Sequence, residues 1–373
     1  MATGTEVEVR WSDRPARAWL PAALTERDLT LSVATARRTE QAAAAVRGAR
    51  DRLPPDWEPL ARLLLRSEGV ASSYIEGVRA PAELIAAAEV DPTVDVTAAA
   101  VAANLGAVRT ALDDALVRPL DVADLHAWHR RLMADDPRLD PEMIGAFRRT
   151  QSWIGGNSPL DAAFVPPPAE HVDALVDDLV AFANRDDVDP VTQAAVVHGQ
   201  FETVHPYGDG NGRIGRLLIG WVLARRTGVH VPPPVSVAIA RDPGGYLSGL
   251  HFFSHDPLER FVAWFADIVE TAATAGVEVV ATIEAVMTDW RARLDGLRSD
   301  AVAHRMLDLL PSHPVISAPI AAAELPITER GARQGLADLG AREILEPLEV
   351  APTGPGRPRR WWVARELLSP LHV

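Results

Sequence analysis

The sequence contains no cysteine. Disulfides, thiolate zinc sites and cysteine nucleophiles are therefore excluded, and a reducing compartment is compatible with the absence. Lysine is missing too, so all 37 basic side chains are arginine. Schiff-base chemistry, pyridoxal phosphate attachment and the P-loop lysine are excluded together. A codon bias towards Ala, Arg and Pro would produce the same gap. Either way, any phosphate must be held by arginine, backbone N–H groups or metal. No unbroken apolar run approaches the roughly 20 residues of a membrane span; the best, LLIGWVLA, ends at Arg225–Arg226. The opening residues MATGTEVEVRW lack the apolar centre of a signal peptide. The expectation is a cytoplasmic protein with no membrane partner.

What remains is the composition of an ordinary folded chain, 47% hydrophobic and 24% charged. Its 373 residues suffice for two or three domains with a sizeable core. A net charge of −14 argues against a general nucleic-acid coat while leaving room for one basic face.

Residues 1–30, with their Pro and Trp, read as irregular. Helical periodicity follows over 30–52 and through PLARLLLRSEGVASSYIEG, where Leu60, Leu64, Ala71 and Ile75 share a face and Gly77 suits the C′ position. Further helices are predicted over 81–89, 95–117, 121–134 and 168–184. GAFRRTQSWIGG and AAFVPPPAEH flank a turn-rich GGNSPLD, which reads as a short hairpin. Asp189 and Pro190 look like the N-cap and first residue of a helix that stops at Pro206. Another helix runs from just after GDGNG to about Arg226, and helical segments continue to about Leu297. In the tail, three short helices precede the turn- and Arg-rich APTGPGRPRR and a strand-like WWVA, an order that suggests a winged helix.

The most polar dozen residues, HPYGDGNGRIGR, therefore lie between two apolar helices. Gly210 and Gly212 can take positive φ, and such a turn aims successive N–H groups into one anion-binding concavity. The following helix adds unpaired N–H groups and the positive end of its dipole. Arg213 and Arg216, at i and i+3, share a face, and each can grip phosphate with two prongs. Asp209 is a hard oxygen ligand suited to Mg²⁺, which takes one or two carboxylates plus phosphate oxygens. His205 is the nearby group suited to accept a proton near neutral pH. The pattern fits Mg-bound polyphosphate with a base at its edge.

HPYGDGNGRIGR closely resembles the signature of the Fic family, His-Pro-Phe-x-Asp-Gly-Asn-Gly-Arg-x-x-Arg, with Tyr207 as the one departure. The upstream HGQFETV is similar to the family's helix leading into the motif. The resemblance implies a mainly α-helical Fic-fold core with a short β-hairpin flap. It implies transfer of AMP from ATP to a Ser, Thr or Tyr hydroxyl of a target protein, with His205 as base and Asp209 holding Mg²⁺. Gly210, Asn211 and Gly212 would form the anion hole, and Arg213 and Arg216 would hold the β- and γ-phosphates. Arg149 to Ile154 with Phe164–Pro166 resembles the flap that docks a target strand, with Trp153, Ile154, Phe164 and Val165 as its docking residues. SSYIEG carries Ser72-x-x-x-Glu76-Gly77, which resembles the family's inhibitory motif in the subgroup with an N-terminal inhibitory helix. Glu76 would then pair with Arg216 and occupy the arginine meant for the γ-phosphate.

On this reading residues 1–118 are an N-terminal helical segment with the inhibitory helix, 119–297 the catalytic core and 298–373 a winged-helix-like domain. Other readings stay open. Removal of AMP, or a DNA-binding regulator whose Fic site senses nucleotide, would use the same residues. His171 and His198 with His205 fit no standard zinc helix motif. The Arg357–Arg360 run is either a solvated hairpin or a DNA-facing wing. Arginine and acid balance in the tail from Arg298, which leaves a protein-interaction or dimerisation wing as the alternative. No residue set that reads the nucleotide base stands out.

Overall fold

The computed structural model describes residues 4–371 apart from 28, 53–57, 135, 137, 256–257 and 351–358. It opens on an antiparallel hairpin of β1 (Gly4–Trp11) and β2 (Arg14–Pro21). The helices α1 (Val33–Asp51), α2 (Glu58–Ile75), α3 (Ala82–Ala88), α4 (Val96–Val117), α5 (Val122–Met133) and α6 (Val172–Ala183) follow. Then come α7 (Pro190–Val204), α8 (Asn211–Thr227), α9 (Val235–Arg241), α10 (Pro243–His255) and α11 (Leu258–Arg293). The tail holds α12 (Val302–Leu309), β3 (Val315–Ile316), α13 (Ala318–Glu324), α14 (Glu329–Gly340), β4 (Glu346–Leu348), β5 (Trp361–Val363) and α15 (Arg365–Leu368).

The N-terminal hairpin departs from the irregular segment expected there. Val7, Val9 and Trp11 alternate with exposed Glu6, Glu8 and Arg10, the period of a one-sided strand. The two-residue turn has Ser12 and Asp13 both at positive φ, 47° and 62°, the twist that suits a tight hairpin. Neither residue is the glycine that normally announces such a turn.

The chain divides into two compact units, one combining Met1–Asp51 with Gly106–Thr274 and the other Arg52–Leu105 with Ala275–Val373. Helices α4 and α11 contribute to both. In the first unit α7 and α8 form the central pair. Every residue of α7 from Val191 to Val204 is buried, because α1, α6, α8 and α10 all pack on it. A helix enclosed on all sides carries little polar–apolar periodicity. Asp189 caps its start by accepting from the N–H groups of Val191 and Thr192, with Pro190 at the first helical position.

In the second unit α2 packs beside α3 and α4 around Ile85, Ala98, Val101 and Leu105. The tail is a helix–turn–helix of α12 to α14 closed by a small sheet in the order β3-β5-β4, both pairings antiparallel. Trp361 and Trp362 on β5 are buried. Arg66 of α2 ties these pieces together. It forms a two-pronged pair with Glu89 (2.5 and 3.2 Å) and donates to the carbonyls of Pro311 (3.2 Å) and Ser312 (2.7 Å) at the turn after α12.

Among the described residues one helix, α11, is long and apolar enough to cross a membrane by length and composition. Glu270, Glu278 and Glu284 interrupt it, so it holds no unbroken apolar run of that length. Its buried positions, among them Phe261, Phe265, Val269, Ala273, Val280, Ile283, Met287 and Trp290, recur every three or four residues along one face.

His198 sits at the centre of the first unit, fully buried, with Nε2 3.1 Å from the Tyr246 hydroxyl. Burial pushes its pKa down from 6.5 to about 3. The unfolded chain takes up a proton near pH 6.5 that the folded form refuses until about pH 3, so stability falls as pH drops through that window. The urea midpoint of the full chain is expected to fall between about pH 7 and pH 5, and His198→Gln is expected to flatten that fall. Equal pH slopes for the two proteins would overturn this assignment.

Candidate active site

The signature loop joins the C-terminus of α7 to the N-terminus of α8. His205 caps α7 in the left-handed region, φ 48° and ψ 60°, with its N–H donating to the Phe201 carbonyl (2.9 Å). Such a conformation is uncommon for a residue with a side chain and persists where neighbours fix it. Gly210 takes the second reversal at φ 78° and leads into α8. Gly212, a second candidate for positive φ from sequence, instead lies in the first turn of α8.

Asn211 closes the loop. Its Oδ1 accepts from the Tyr207 N–H and its Nδ2 donates to the Tyr207 carbonyl, both at 2.8 Å. Its side chain is thus a brace, and what Asn211 offers an anion is its backbone N–H at the head of the helix. The Tyr207 ring is fully buried, stacked on His129 with centroids 3.9 Å apart, and its hydroxyl lies 3.1 Å from His126 Nδ1. The extra oxygen relative to phenylalanine is therefore satisfied inside the core.

No sequence signal singles out His129. Its Nδ1 accepts from the Gly145 N–H (2.8 Å), so the ring proton resides on Nε2, which donates to the Asp209 carbonyl (3.1 Å). Burial lowers its pKa to about 4, which keeps the ring neutral and this tautomer in place at neutral pH. Arg148, equally unmarked in the sequence, is buried and donates Nε to the His205 carbonyl at 2.9 Å.

The two arginines in the opening turns of α8 do not form a solvated face. Arg213 and Arg216 are 5% and 2% exposed. Arg213 Nη2 lies 3.8 Å from Asp209 Oδ1 and donates to Met133 Sδ at 3.3 Å. The Asp209 carboxylate is partly exposed, accepts the Gly210 N–H through Oδ1 (2.5 Å) and meets Arg138 through Oδ2 (3.3 Å). Arg138 is itself held two-pronged by Asp136, whose pKa falls to about 2 chiefly through that hydrogen bond. No group of three or more His, Asp or Glu side chains that could hold a metal occurs among the described residues. Asp209 as a lone carboxylate suits an ion arriving with phosphate ligands rather than a resident metal.

The flap expected from sequence is a single antiparallel bridge between Ile154 and Phe164. Ile154 N–H donates to Phe164 O (2.8 Å), and Ala163 and Phe164 N–H both donate to Ile154 O. Gln151 Nε2 holds its base on the Pro166 carbonyl (2.8 Å). The N-terminal hairpin braces it further. Trp19 N–H donates to Val165 O (2.9 Å), and Trp11 meets Trp153 edge to face at 5.0 Å. Ile154 keeps 36% of its surface exposed, whereas Val165 is buried.

Ser72, Glu76 and Gly77 lie in the second unit, at the end of α2. Ser72 is buried, and Asn104 Nδ2 donates to Gly69 O (3.0 Å) and Ser73 Oγ (3.2 Å) beside it. Gly77 at φ 77° ends the helix. Its N–H donates to Tyr74 O (2.9 Å) and that of Val78 to Ser73 O (3.0 Å), the paired bonds of a Schellman cap. Glu76 is the exposed C-cap residue of this turn, one step beyond the helix. In the tail, Arg359 meets Asp91 at 3.3 Å and Arg365 is held between Glu83 (3.1 Å) and Glu346 (2.9 Å). Arg357 lies outside the described residues.

Residues 119–223 match the Fic/DOC family, and residues 304–363 match an HTH DNA binding domain. The chain is 31% identical over 150 residues to protein adenylyltransferase fic-1 of Caenorhabditis elegans, covering 39% of this chain and 27% of that one. It is 30% identical over 154 residues to protein adenylyltransferase Fic of Culex quinquefasciatus, covering 40% and 28%. The matched segment thus spans little more than a quarter of these curated relatives. The fold is similar to a Fic family protein from Desulfovibrio desulfuricans, with a TM-score of 0.53 at 22% identity, over 90% of this chain and 97% of that one. It is also similar to Fic-1 of C. elegans, with a TM-score of 0.52 at 21% identity, over 67% and 75%. The segment 119–223, which carries the HPYGDGNGRIGR loop, is thus a Fic/DOC family domain.

Proposed function

We propose that the chain is a protein adenylyltransferase that moves AMP from ATP to a Ser, Thr or Tyr hydroxyl of a target protein. One arrangement carries this reading: the left-handed His205 leads through the loop to the head of α8, whose opening turns hold two buried arginines and the first N–H groups of the helix. Names of relatives over the same segment support it. The target hydroxyl gives its proton to His205 as its oxygen bonds to the α-phosphorus. The bond from that phosphorus to the bridging oxygen breaks, and pyrophosphate leaves. Arg213, Arg216 and the N–H groups of Gly210, Asn211 and Gly212 take up the charge on the phosphates. Asp209, now paired with Arg138, would hold a Mg²⁺, and the ion would offset the charge of the phosphates. The open edge at Ile154 would align the target backbone.

Control by α2 belongs to the same proposal. Glu76 pairing with Arg216 would take the arginine needed by the γ-phosphate and leave ATP in a non-productive pose. Replacement of His205 by Ala is expected to lower transfer by about 10²–10⁴-fold while ATP binding persists, because the base serves the incoming hydroxyl. Wild-type transfer by a folded His205→Ala protein would remove His205 from that role. Glu76→Gly is expected to raise self-modification with labelled ATP and Mg²⁺ above wild type, and adding His205→Ala should abolish the gain. Equal transfer by wild type and Glu76→Gly, both folded and ATP-bound, would sink the autoinhibition and leave the transferase reading standing.

A second reading, recognition of duplex DNA by the winged helix, is favoured by α14. Arg330, Arg333 and Gln334 lie exposed on one face of the helix that follows the turn. The charge is muted, since Arg333 pairs with Glu329 at 2.6 Å, Arg359 with Asp91, and Arg365 with Glu83 and Glu346. Because α2 and α3 pack with the tail, the full chain is the proper test object. Binding to a specific duplex should weaken on Arg330→Ala with Arg333→Ala, and its salt slope should shrink by about one for each arginine that no longer neutralises a phosphate. A folded full chain with no salt-sensitive duplex binding would make the winged helix a protein contact.

A further inference from the structure

A buried cation whose hydrogen bonds end on carbonyls rather than on a carboxylate is unusual, because the dipoles placed around it must help offset its desolvation. Arg148 is such a group. It is 2% exposed and meets four carbonyl oxygens: Nε to His205 (2.9 Å), Nη2 to Val204 (3.2 Å) and Pro167 (2.6 Å), and Nη1 to Thr150 (3.0 Å). Its own N–H donates to Pro206 O at 2.8 Å. Burial lowers its pKa to about 10, so it stays charged at neutral pH.

The four acceptors come from two places. Val204 and His205 end α7, where carbonyls lack helical partners and the dipole is negative. Thr150 and Pro167 flank the Ile154–Phe164 bridge on either side, one in each stem of the flap. A planar guanidinium with a fixed fork of donors is the one side chain that can satisfy both sets at once. The same contacts fix the His205 carbonyl and the Pro206 carbonyl on each side of the left-handed turn.

We propose that Arg148 is a positioning residue that registers His205 against the flap, so that the base and a docked target strand are set by one cation. The proposal rests on the adenylyl-transfer reading for its catalytic consequence, though not for the placement of His205. Lysine at this position keeps the charge but, as a point donor on a flexible stem, cannot span four carbonyls. In a Glu76→Gly background, Arg148→Lys is expected to lower kcat for transfer about 100-fold, the scale of an ångström-sized misplacement. KM for ATP should stay within about twofold, since Arg148 does not touch the phosphate cradle. Arg148→Gln, which removes the buried charge and keeps a two-proton donor, carries the test if the lysine variant does not fold.

Transfer within about threefold of the parent would overturn the proposal. So would a rise in KM for ATP matching the fall in kcat, which would mean collapse of the cradle. The His205 imidazole signal, followed by NMR in the otherwise wild-type chain, separates this proposal from the transferase reading. A signal shifted by Arg148→Lys supports positioning whatever reaction the site performs, and an unmoved one refutes it. If the Glu76→Gly parent transfers nothing to itself or to lysate proteins, the transferase reading falls, and the NMR comparison still decides the placement of His205.

Discussion

Joining two buried helices end to start places their unsatisfied backbone groups in the interior, and the first unit is organised around that constraint. The last carbonyls of α7 and the first N–H groups of α8 come within a six-residue connection, 205–210. Neither set can be left bare away from water without a penalty of a few kcal/mol. The carbonyl side is answered permanently by the guanidinium of Arg148. The N–H side is answered only in part, by Asp209 on Gly210. The asymmetry is the functional content of the loop: one helix end is sealed by the protein's own cation, and the other keeps donors for an anion.

The loop holds this shape because its polar atoms are fixed from below. Asn211 grips Tyr207 at both backbone atoms, Tyr207 stacks on His129, and His129 reaches back to the Asp209 carbonyl. That chain of contacts leads from the head of α8 through α5 and returns to the loop, so no member can shift alone. The neutral state of His129 matters here, since a protonated ring would put a donor at Nδ1, opposite the Gly145 N–H. Preorganisation of this kind lets donors stabilise developing charge without moving as it forms.

Much of the fold is legible in the sequence because its signals are local. Asp189–Pro190 starts a helix, Gly77 ends one with positive φ, and the tail's helices and strand follow in winged-helix order. The signature loop is legible because a polar, glycine-rich dozen between apolar helices has few structural uses. The N-terminal hairpin is not, although Glu6 to Trp11 alternates cleanly; its turn is Ser12–Asp13, and without glycine the positive-φ pair has no sequence mark. Arg148 escapes for a different reason. In FRRT it stands beside Arg149, which is exposed and paired with Asp173, and nothing local distinguishes the two. Only the arrival of α7 from distant sequence and the closing of the adjacent flap bury one and not the other. The role of Asn211 as a brace is hidden in the same way, since anion binding and loop closure ask for the same amide.

The placement of Glu76 bears on how cleanly its charge can be separated from its structural role. The helix before it is held within its own unit by Arg66, Glu89 and the carbonyls of Pro311 and Ser312, and by Asn104 on Gly69 and Ser73. The turn after it is closed by backbone bonds from Gly77 and Val78. A glycine in place of Glu76 sits at a C-cap rather than in a helix interior, so the usual helix penalty of about 1 kcal/mol is an upper bound. Removing the carboxylate changes the charge at the end of α2, while the bonds of Arg66, Asn104, Gly77 and Val78 to the helix, its cap and the tail run through other groups. A stability measurement on Glu76→Gly, made beside the transfer assay, separates loss of the carboxylate from loosening of the segment that carries it.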